Sequence, residues 1–334
     1  MPKAKTLFFL APFQTEIRES ELPPLKEDEA LVETVLSAVS AGTEMLVYRG
    51  QFPRRAVDKR DPISSDLHYP IAYGYACVGR VKDIGKSVNG NWMNRLVFAF
   101  QPHTSHFIAK TQSLIAVPPL LSPETACFFP NMETAVNLVQ DAAPILGERV
   151  LVLGQGAVGL LTTALLAEFP LEILLSADHF EMRRKESPAN RSLDSSRPEF
   201  REQARSLLKS GADLTIECSG NPSALDDALA LTAFSGRIVI GSWYGEKKAA
   251  IDLGGMFHRS RIKLISSQVS TISPELSGRW DKARRFDAAW NALKRIKPER
   301  WITHRFPIEE SGKAYELLDK NPQETIQAVF DYGK

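Results

Sequence analysis

The sequence predicts an α/β protein in two parts: a β-rich portion and a doubly wound parallel sheet. Three observations carry that expectation. Up to about residue 125, short alternating segments (30–37, 76–84, 95–100 and 114–117) are punctuated by Pro23-Pro24, Asn89-Gly90 and Pro118-Pro119, the pattern of an irregular β domain with few helices. From Ser122 onward, strand-like and helix-like segments alternate, as parallel sheets with crossover helices require. The run Arg149–Leu153, RVLVL, is apolar throughout its core, as expected of a strand covered on both faces. At 334 residues the chain also exceeds one typical core and suits two domains.

The elements follow in order. The apolar stretch after Lys5 reads as a first strand, since it is short and lacks a small-residue cleavage site. Ser122-Pro123-Glu124-Thr125 has the form of a helix start, with serine as N-cap and proline in the first position. A second helix is expected over 133–141. The strands 149–153, 172–176, 214–218 and 237–241 then alternate with helices, including 198–209 and 223–231. The segment 186–197, rich in serine, proline and arginine, reads as a mobile surface loop. A basic helix over 281–296, a short helix near 309–318 and a last strand over 327–331 complete the chain.

Composition narrows the function. With 43% apolar and 24% charged residues and a net charge of +1, the chain has no field to gather nucleic acid or an acidic membrane. No apolar run approaches the roughly 18 residues that span a bilayer. Cys77, Cys127 and Cys218 are few and far apart, which argues against a disulfide framework and a CxxC zinc site and fits a cytoplasmic location. Each is expected to act as a small buried apolar residue.

The sharpest motif follows RVLVL directly. Gly154-Gln155-Gly156-Ala157-Val158-Gly159 is a GxGxxG sequence between a strand and an apolar helix. The first glycine allows the tight turn, the second lets the backbone approach a pyrophosphate, and the third lets helix and strand pack closely. The helix start adds N–H groups and a partial positive charge. Asp178, 24 residues after Gly154, ends the next strand, where an acid accepts hydrogen bonds from a ribose. A carboxylate there favours NAD. Arg183 and Arg184 follow closely and leave NADP as the alternative.

Three further stretches resemble the medium-chain dehydrogenase/reductase superfamily: Ala41-Gly42-Thr43-Glu44, the segment from Gly74-Tyr75-Ala76-Cys77 to Gly85, and Ile302-Thr303-His304-Arg305-Phe306-Pro307. Pro102-His103-Thr104-Ser105-His106-Phe107 and Ser242-Trp243-Tyr244-Gly245 resemble its bacteriochlorophyllide dehydrogenase-like branch. The resemblance implies a GroES-like β-rich catalytic domain built from both chain ends (1–125 and 271–334) and a Rossmann domain (126–270). It implies further cofactor contacts from Ser219, Gly220, Asn221, Gly241, Ser242, Ser267, Val269 and Thr134. It also implies a homodimer through the sheet edge near 245–270. Gln327 stands where relatives carry an arginine that clasps the pyrophosphate, which implies weaker cofactor binding.

The positions of the family's zinc ligands hold Ala41, Tyr75 and Pro130, with Ala76 in place of the supporting acid, and the four-cysteine lobe is missing. Tyrosine is a poor zinc ligand and the others have no donor side chain. No zinc is therefore expected. Tyr75 is expected to donate a hydrogen bond to the reacting oxygen, with Thr43 as its partner and Glu44 as support. His68, His103 and His106 are candidate proton carriers, His103 foremost. The basic stretch Arg54-Arg55 with Lys59-Arg60, interleaved with Asp58, Asp61 and Asp66, reads as a solvated loop. The expected function is hydride transfer between NAD(H) and a small-molecule alcohol/carbonyl pair. Zinc-free reduction of an activated carbon–carbon double bond, and non-catalytic redox sensing, are the alternatives.

Overall fold

Alternation of buried and half-buried side chains in the strand Glu29–Ala38 organises the first part of the molecule. Ala30, Val32, Thr34 and Leu36 all point to one buried side. The computed structural model describes residues 3–53 and 67–333; the basic stretch of residues 54–60 with Asp61 and Asp66 lies outside them. In chain order the elements begin with β1 (Lys3–Ala11), β2 (Gln14–Glu21), β3 (Glu29–Ala38), α1 (Ala41–Arg49), β4 (Ile71–Ala72) and β5 (Cys77–Ile84). Then come β6 (Leu96–Ala99), β7 (His106–Lys110), β8 (Ile115–Ala116) and α2 (Pro123–Ala126), the last started by Ser122, whose hydroxyl accepts from the Thr125 N–H.

The middle of the chain contains α3 (Phe129–Ala142), β9 (Arg149–Leu153), α4 (Ala157–Leu166), β10 (Ile173–Asp178), α5 (Glu181–Glu186) and β11 (Arg191–Asp194). It continues with α6 (Phe200–Leu208), β12 (Ala212–Glu217), α7 (Ala224–Leu231), β13 (Thr232–Ile240), β14 (Lys263–Ser266) and α8 (Lys282–Ile296). The chain ends with β15 (Ile302–Pro307), α9 (Ser311–Lys320) and β16 (Gln327–Asp331).

These elements form two compact units. One takes residues up to Pro130 and from Lys297 on; the other takes Asn131–Ile296. The sequence places the return to the first unit at residue 271, whereas the structure places it at 297. The reason is α8, whose Arg285 and Lys282 bond to Glu133 within the second unit.

In the first unit, β2-β1-β4 is an antiparallel sheet, and a seven-stranded sheet runs β15-β16-β3-β5-β6-β8 with β7 also on β3. Cys77, Val81, Val97 and Phe107 pack with Ala30 and Val32 as its core.

In the second unit, six parallel strands run β11-β10-β9-β12-β13-β14. Numbered from β9 this order is 3-2-1-4-5-6, the doubly wound arrangement in which ligands bind beyond the carboxyl ends of the strands where the order reverses. The apolar composition of β9 has a direct cause. Val150 and Val152 pack on one face with Leu138 and Leu166, and Leu151 and Leu153 on the other with Phe200, Ala204 and Leu208. Burial of each such side chain stabilises the fold by about 1.5–3 kcal/mol. The expected surface loop 186–197 instead contains β11, an edge strand in register with β10. Its four residues, Arg-Ser-Leu-Asp, are too short and polar to show a strand pattern.

Candidate active site and dinucleotide cradle

The second unit builds a cradle at the carboxyl ends of its central strands. β9 ends at Leu153, and Gly154 turns the chain with φ +91°. A Cβ on Gly154 would lie 2.5 Å from the Ser219 backbone, and one on Gly159 would lie 2.0 Å from Gly154 O. Both positions therefore exclude any other residue. The space around Gly156 is open, its closest neighbour to an added Cβ being Arg183 Nη1 at 3.9 Å. A backbone surface left clear at this glycine, just before the first N–H groups of α4, fits a pyrophosphate.

The loop is held from below. Gln155 is fully buried; its side chain pairs with Thr163 and donates to Gly154 O, so it stiffens the loop and is turned away from any ligand. Its backbone N–H donates to Asp178 Oδ2 at 2.7 Å, while Asp178 Oδ1 accepts from Phe180 N–H at 2.8 Å. Each carboxylate oxygen keeps further acceptor capacity. Arg184 donates to the carbonyls of Asp178 and His179 and pairs with Asp194 at 3.0 Å, which ties β10 to β11. Arg183 instead lies over the Phe180 ring, 4.8 Å from its centroid. Burial pulls its guanidinium pKa down, and the nearby Asp178 charge opposes that.

The loop after β12 is organised by Glu217 and Tyr244, neither of which the sequence marks as a site residue. Glu217 is fully buried and accepts from both Ser219 N–H (2.6 Å) and Ser219 Oγ (2.5 Å). Its other oxygen accepts from Tyr244 OH at 2.6 Å. Burial first, and the Glu217 charge next, push the Tyr244 hydroxyl far above its ordinary pKa. Ser242 Oγ accepts from Gly220 N–H, so the expected residues Ser219, Gly220, Asn221, Gly241 and Ser242 sit on two loops bonded to each other. Gly241 packs against the Leu138 side chain, whose Cδ2 would lie 2.6 Å from an added Cβ and would have to shift. Ser267 Oγ donates to Asp141, and the Val269 carbonyl accepts from Lys282 and Arg285. Val269 thus has its carbonyl engaged by side chains. Thr134 is half-buried on α3.

In the first unit, Tyr75 lies between β4 and β5 and donates its hydroxyl to Ser40 Oγ, with Thr43 Oγ1 3.4 Å away. Ser40 is the N-cap of α1, yet its hydroxyl does not cap the helix. Its backbone N–H is satisfied by Glu44 Oε1 at 2.8 Å. Burial pushes the Tyr75 hydroxyl above the ordinary tyrosine range, against the opposing hydrogen bonds to Ser40 and Thr43. The tyrosine therefore carries its proton throughout the neutral range.

His103 and Glu44, expected near the reacting group, form a buried hydrogen-bonded pair. Both are 0% exposed and bonded to each other, His103 Nε2 to Glu44 Oε2 at 2.9 Å. His103 Nδ1 meets Ser37 Oγ at 2.7 Å, and Tyr315 OH donates to Glu44 Oε2 at 2.5 Å. His103, from the connection between β6 and β7, is thus the partner of the Glu44 carboxylate on α1. Glu44 in turn accepts from the backbone N–H of Ser40, whose hydroxyl is the Tyr75 partner. Of the other histidines, His68 is exposed, and His106 contacts Ser105 Oγ. Gln327 is buried in β16, donating to the carbonyls of Val39 and Ala328, each at 2.7 Å.

The residues at the four positions where the family resemblance implies the zinc shell do not fit that metal. Ala41, Ala76 and Pro130 have no donor side chain, and the hydroxyl of Tyr75 is a poor zinc ligand. Among the described residues, no three of His, Cys, Asp and Glu group closely enough to hold a metal. No described helix is long and apolar enough to cross a membrane.

Comparison with known proteins agrees with this architecture. Residues 157–286 match the family described as zinc-binding dehydrogenase, a stretch that contains none of the four positions just named. The uncharacterized zinc-type alcohol dehydrogenase-like protein YphC of Escherichia coli K12 is 26% identical over 221 residues, which is 65% of this chain and only 60% of that protein. The D-guloside 3-dehydrogenase of the same organism is 23% identical over 344 residues, 97% of this chain and 98% of that protein. A crystal structure of an alcohol dehydrogenase, rspB from Escherichia coli CFT073, complexed with NADH, superposes with a TM-score of 0.79 at 19% identity, covering 99% of each chain. The fold is thus the GroES-like β-rich unit plus Rossmann unit that the sequence predicts.

Proposed function

The chain belongs to the medium-chain dehydrogenase/reductase superfamily, and from that premise we propose that it is a nicotinamide-dependent dehydrogenase acting on an alcohol/carbonyl pair without catalytic zinc. The observation that carries the metal-free part is the Tyr75 hydroxyl bonded to Ser40 beside Thr43, at the position where zinc relatives place a histidine ligand.

The dinucleotide, when bound, supplies or accepts the hydride at its nicotinamide ring. The loop Gly154–Gly159 receives its pyrophosphate and Asp178 its adenosine ribose; Ala157 and Val158 contribute the first turn of α4. Asp178 favours NAD, and Arg183 is the residue that would take a 2′-phosphate. Tyr75 performs the acid–base work. As a carbonyl is reduced, negative charge develops on its oxygen, and a hydroxyl held in place stabilises it without reorganisation. An alkoxide is a stronger base than a phenolate, so Tyr75 gives up its proton to the product oxygen despite its raised pKa. Ser40 and Thr43 orient the hydroxyl and stabilise the resulting phenolate.

We also place the protein as a homodimer in a reducing, cytoplasmic compartment. β14 is the last strand of the parallel sheet, and Phe234, Leu253 and Met256 are exposed in the same unit, a combination suited to edge pairing. The three cysteines are free thiols.

The test is titration of metal-analysed protein with NADH and NADPH, followed by carbonyl reduction assays on ketones derived from glycosides and polyols. The expected result is metal far below one equivalent per chain, tighter NADH binding, and turnover lost in Tyr75→Phe. Stoichiometric zinc with full activity in Tyr75→Phe would overturn the reading.

A further inference from the structure

We propose that Glu133, Arg285 and Lys282 form a clamp that positions the segment Ser267–Thr271 for the nicotinamide end of the dinucleotide, an inference that rests on the dinucleotide reading above. The segment follows β14 at the same carboxyl edge of the sheet as the glycine loop after β9 and the Ser219 loop after β12. It has no ladder of its own beyond Ser267 N–H to Ile240 O. Side chains must therefore fix its path.

They come from two helices of one unit. Glu133, Asn137 and Asp141 recur every four residues along α3 and so share one face. Asp141 accepts from Ser267 Oγ at 2.6 Å, and Asn137 Nδ2 donates to Ser267 Oγ at 2.8 Å. Glu133 Oε1 accepts from Arg285 Nη2 and from Lys282 Nζ, each at 2.7 Å. Arg285 then reaches past Glu133 to the carbonyls of Val269 and Thr271, and Lys282 also donates to Val269 O at 2.9 Å. The grip falls on alternate residues: 267, 269 and 271.

Arg285 is 0% exposed, and its donors all have acceptors: Glu133 twice, Asn137, Val269 and Thr271. A guanidinium so completely matched is a poor device for stability, since well-packed apolar side chains serve as well or better there. Its distinctive effect is geometric. It fixes the direction of two peptide carbonyls, and therefore of the peptide groups between them, at the edge where the ligand binds. A loop whose backbone groups recognise a flat amide needs that rigidity before the ligand arrives.

The experiment compares NADH with ADP-ribose, which lacks the nicotinamide, as ligands of the wild type and of Arg285→Lys, Glu133→Gln and Lys282→Met, by calorimetry. The clamp predicts that NADH affinity falls about tenfold, the loss of one or two well-placed hydrogen bonds, while ADP-ribose affinity is retained. Equal losses for both ligands would mark the three residues as merely structural, and unchanged NADH affinity in all folded variants would also overturn the proposal. Lys282 is partly exposed, so its variant keeps the test alive if the two buried substitutions prevent folding. Failure of the wild type to bind either ligand would overturn the dinucleotide reading itself.

Discussion

The imidazole of His103 packs directly onto Gly74: a Cβ at position 74 would lie 2.7 Å from His103 Cδ2. Gly74 also has φ +122°, which L side chains rarely adopt. One glycine thus lets a buried histidine approach the backbone next to Tyr75, and the same histidine holds Glu44 and, through it, the start of α1. Gly74→Ala is expected to destabilise the protein by about 2–3 kcal/mol, from backbone strain plus displacement of the ring. It should lower turnover more than cofactor affinity, because the glycine loop is in the other unit. Urea unfolding and NADH titration on the same preparation check both parts; a loss of cofactor affinity matching the loss of turnover would contradict it.

A second expectation concerns pH. The raised pKa of Tyr75 keeps it protonated beyond the ordinary tyrosine value of about 10. Carbonyl reduction, which needs the protonated form, should stay level through neutral pH and fall only in strong alkali. Alcohol oxidation needs the phenolate and should climb across the alkaline range. Ser40→Ala removes the acceptor of the Tyr75 hydroxyl and should shift the oxidation profile to still higher pH, since burial then acts with less opposition. Rate profiles in both directions decide the matter. An oxidation rate that levels off near pH 7 would point to a different base.

What was legible in the sequence was local. The strand RVLVL, the glycine loop, α4 and Asp178 lie within 30 residues, and each step constrains the next through backbone geometry. The site residues that escaped notice are joined over long separations. Glu133 and Arg285 are 152 residues apart, and Glu217 and Tyr244 come from successive crossovers. No periodicity records such pairs. α1 was missed for another reason: Gly42 near its start weakens helix propensity, and Glu44 points inward to satisfy Ser40 rather than outward to solvent. The burial of His103 was not legible either, because it depends on Gly74, 29 residues earlier, leaving room for the ring.

Cofactor choice should turn on two side chains. Asp178 braces the glycine loop through Gln155 N–H and faces the place of the adenosine ribose in the proposed complex; Arg183 is beside Gly156. Asp178→Ala should raise the NADPH-to-NADH affinity ratio about tenfold, by removing a repulsive charge and a ribose acceptor together. It should also cost about 1–3 kcal/mol of stability, because two backbone donors lose their acceptor. Arg183→Ala should lower NADPH affinity and leave NADH binding nearly unchanged. Wild-type preference for NADPH, reversed by Arg183→Ala, would assign the opposite cofactor.

Stability should fall steeply in alkali. Tyr315, fully buried against Glu44, has its pKa raised by burial first and by the Glu44 charge next; Tyr332 and Tyr75 are raised chiefly by burial. Below about pH 10 these hydroxyls are protonated in both folded and unfolded chains, and they add no pH dependence. Above it the unfolded chain ionises first, so the folded state holds more protons and loses stability until its own raised pKa values are passed. The slope is about 1.4 kcal/mol per pH unit for each such tyrosine. Tyr315→Phe should be less stable than the wild type at neutral pH, since Glu44 loses a donor, yet its stability should decline less steeply in alkali. Urea midpoints at a series of pH values from 8 upward, measured for both proteins, test this, and parallel alkaline slopes would show that Tyr315 does not carry the effect.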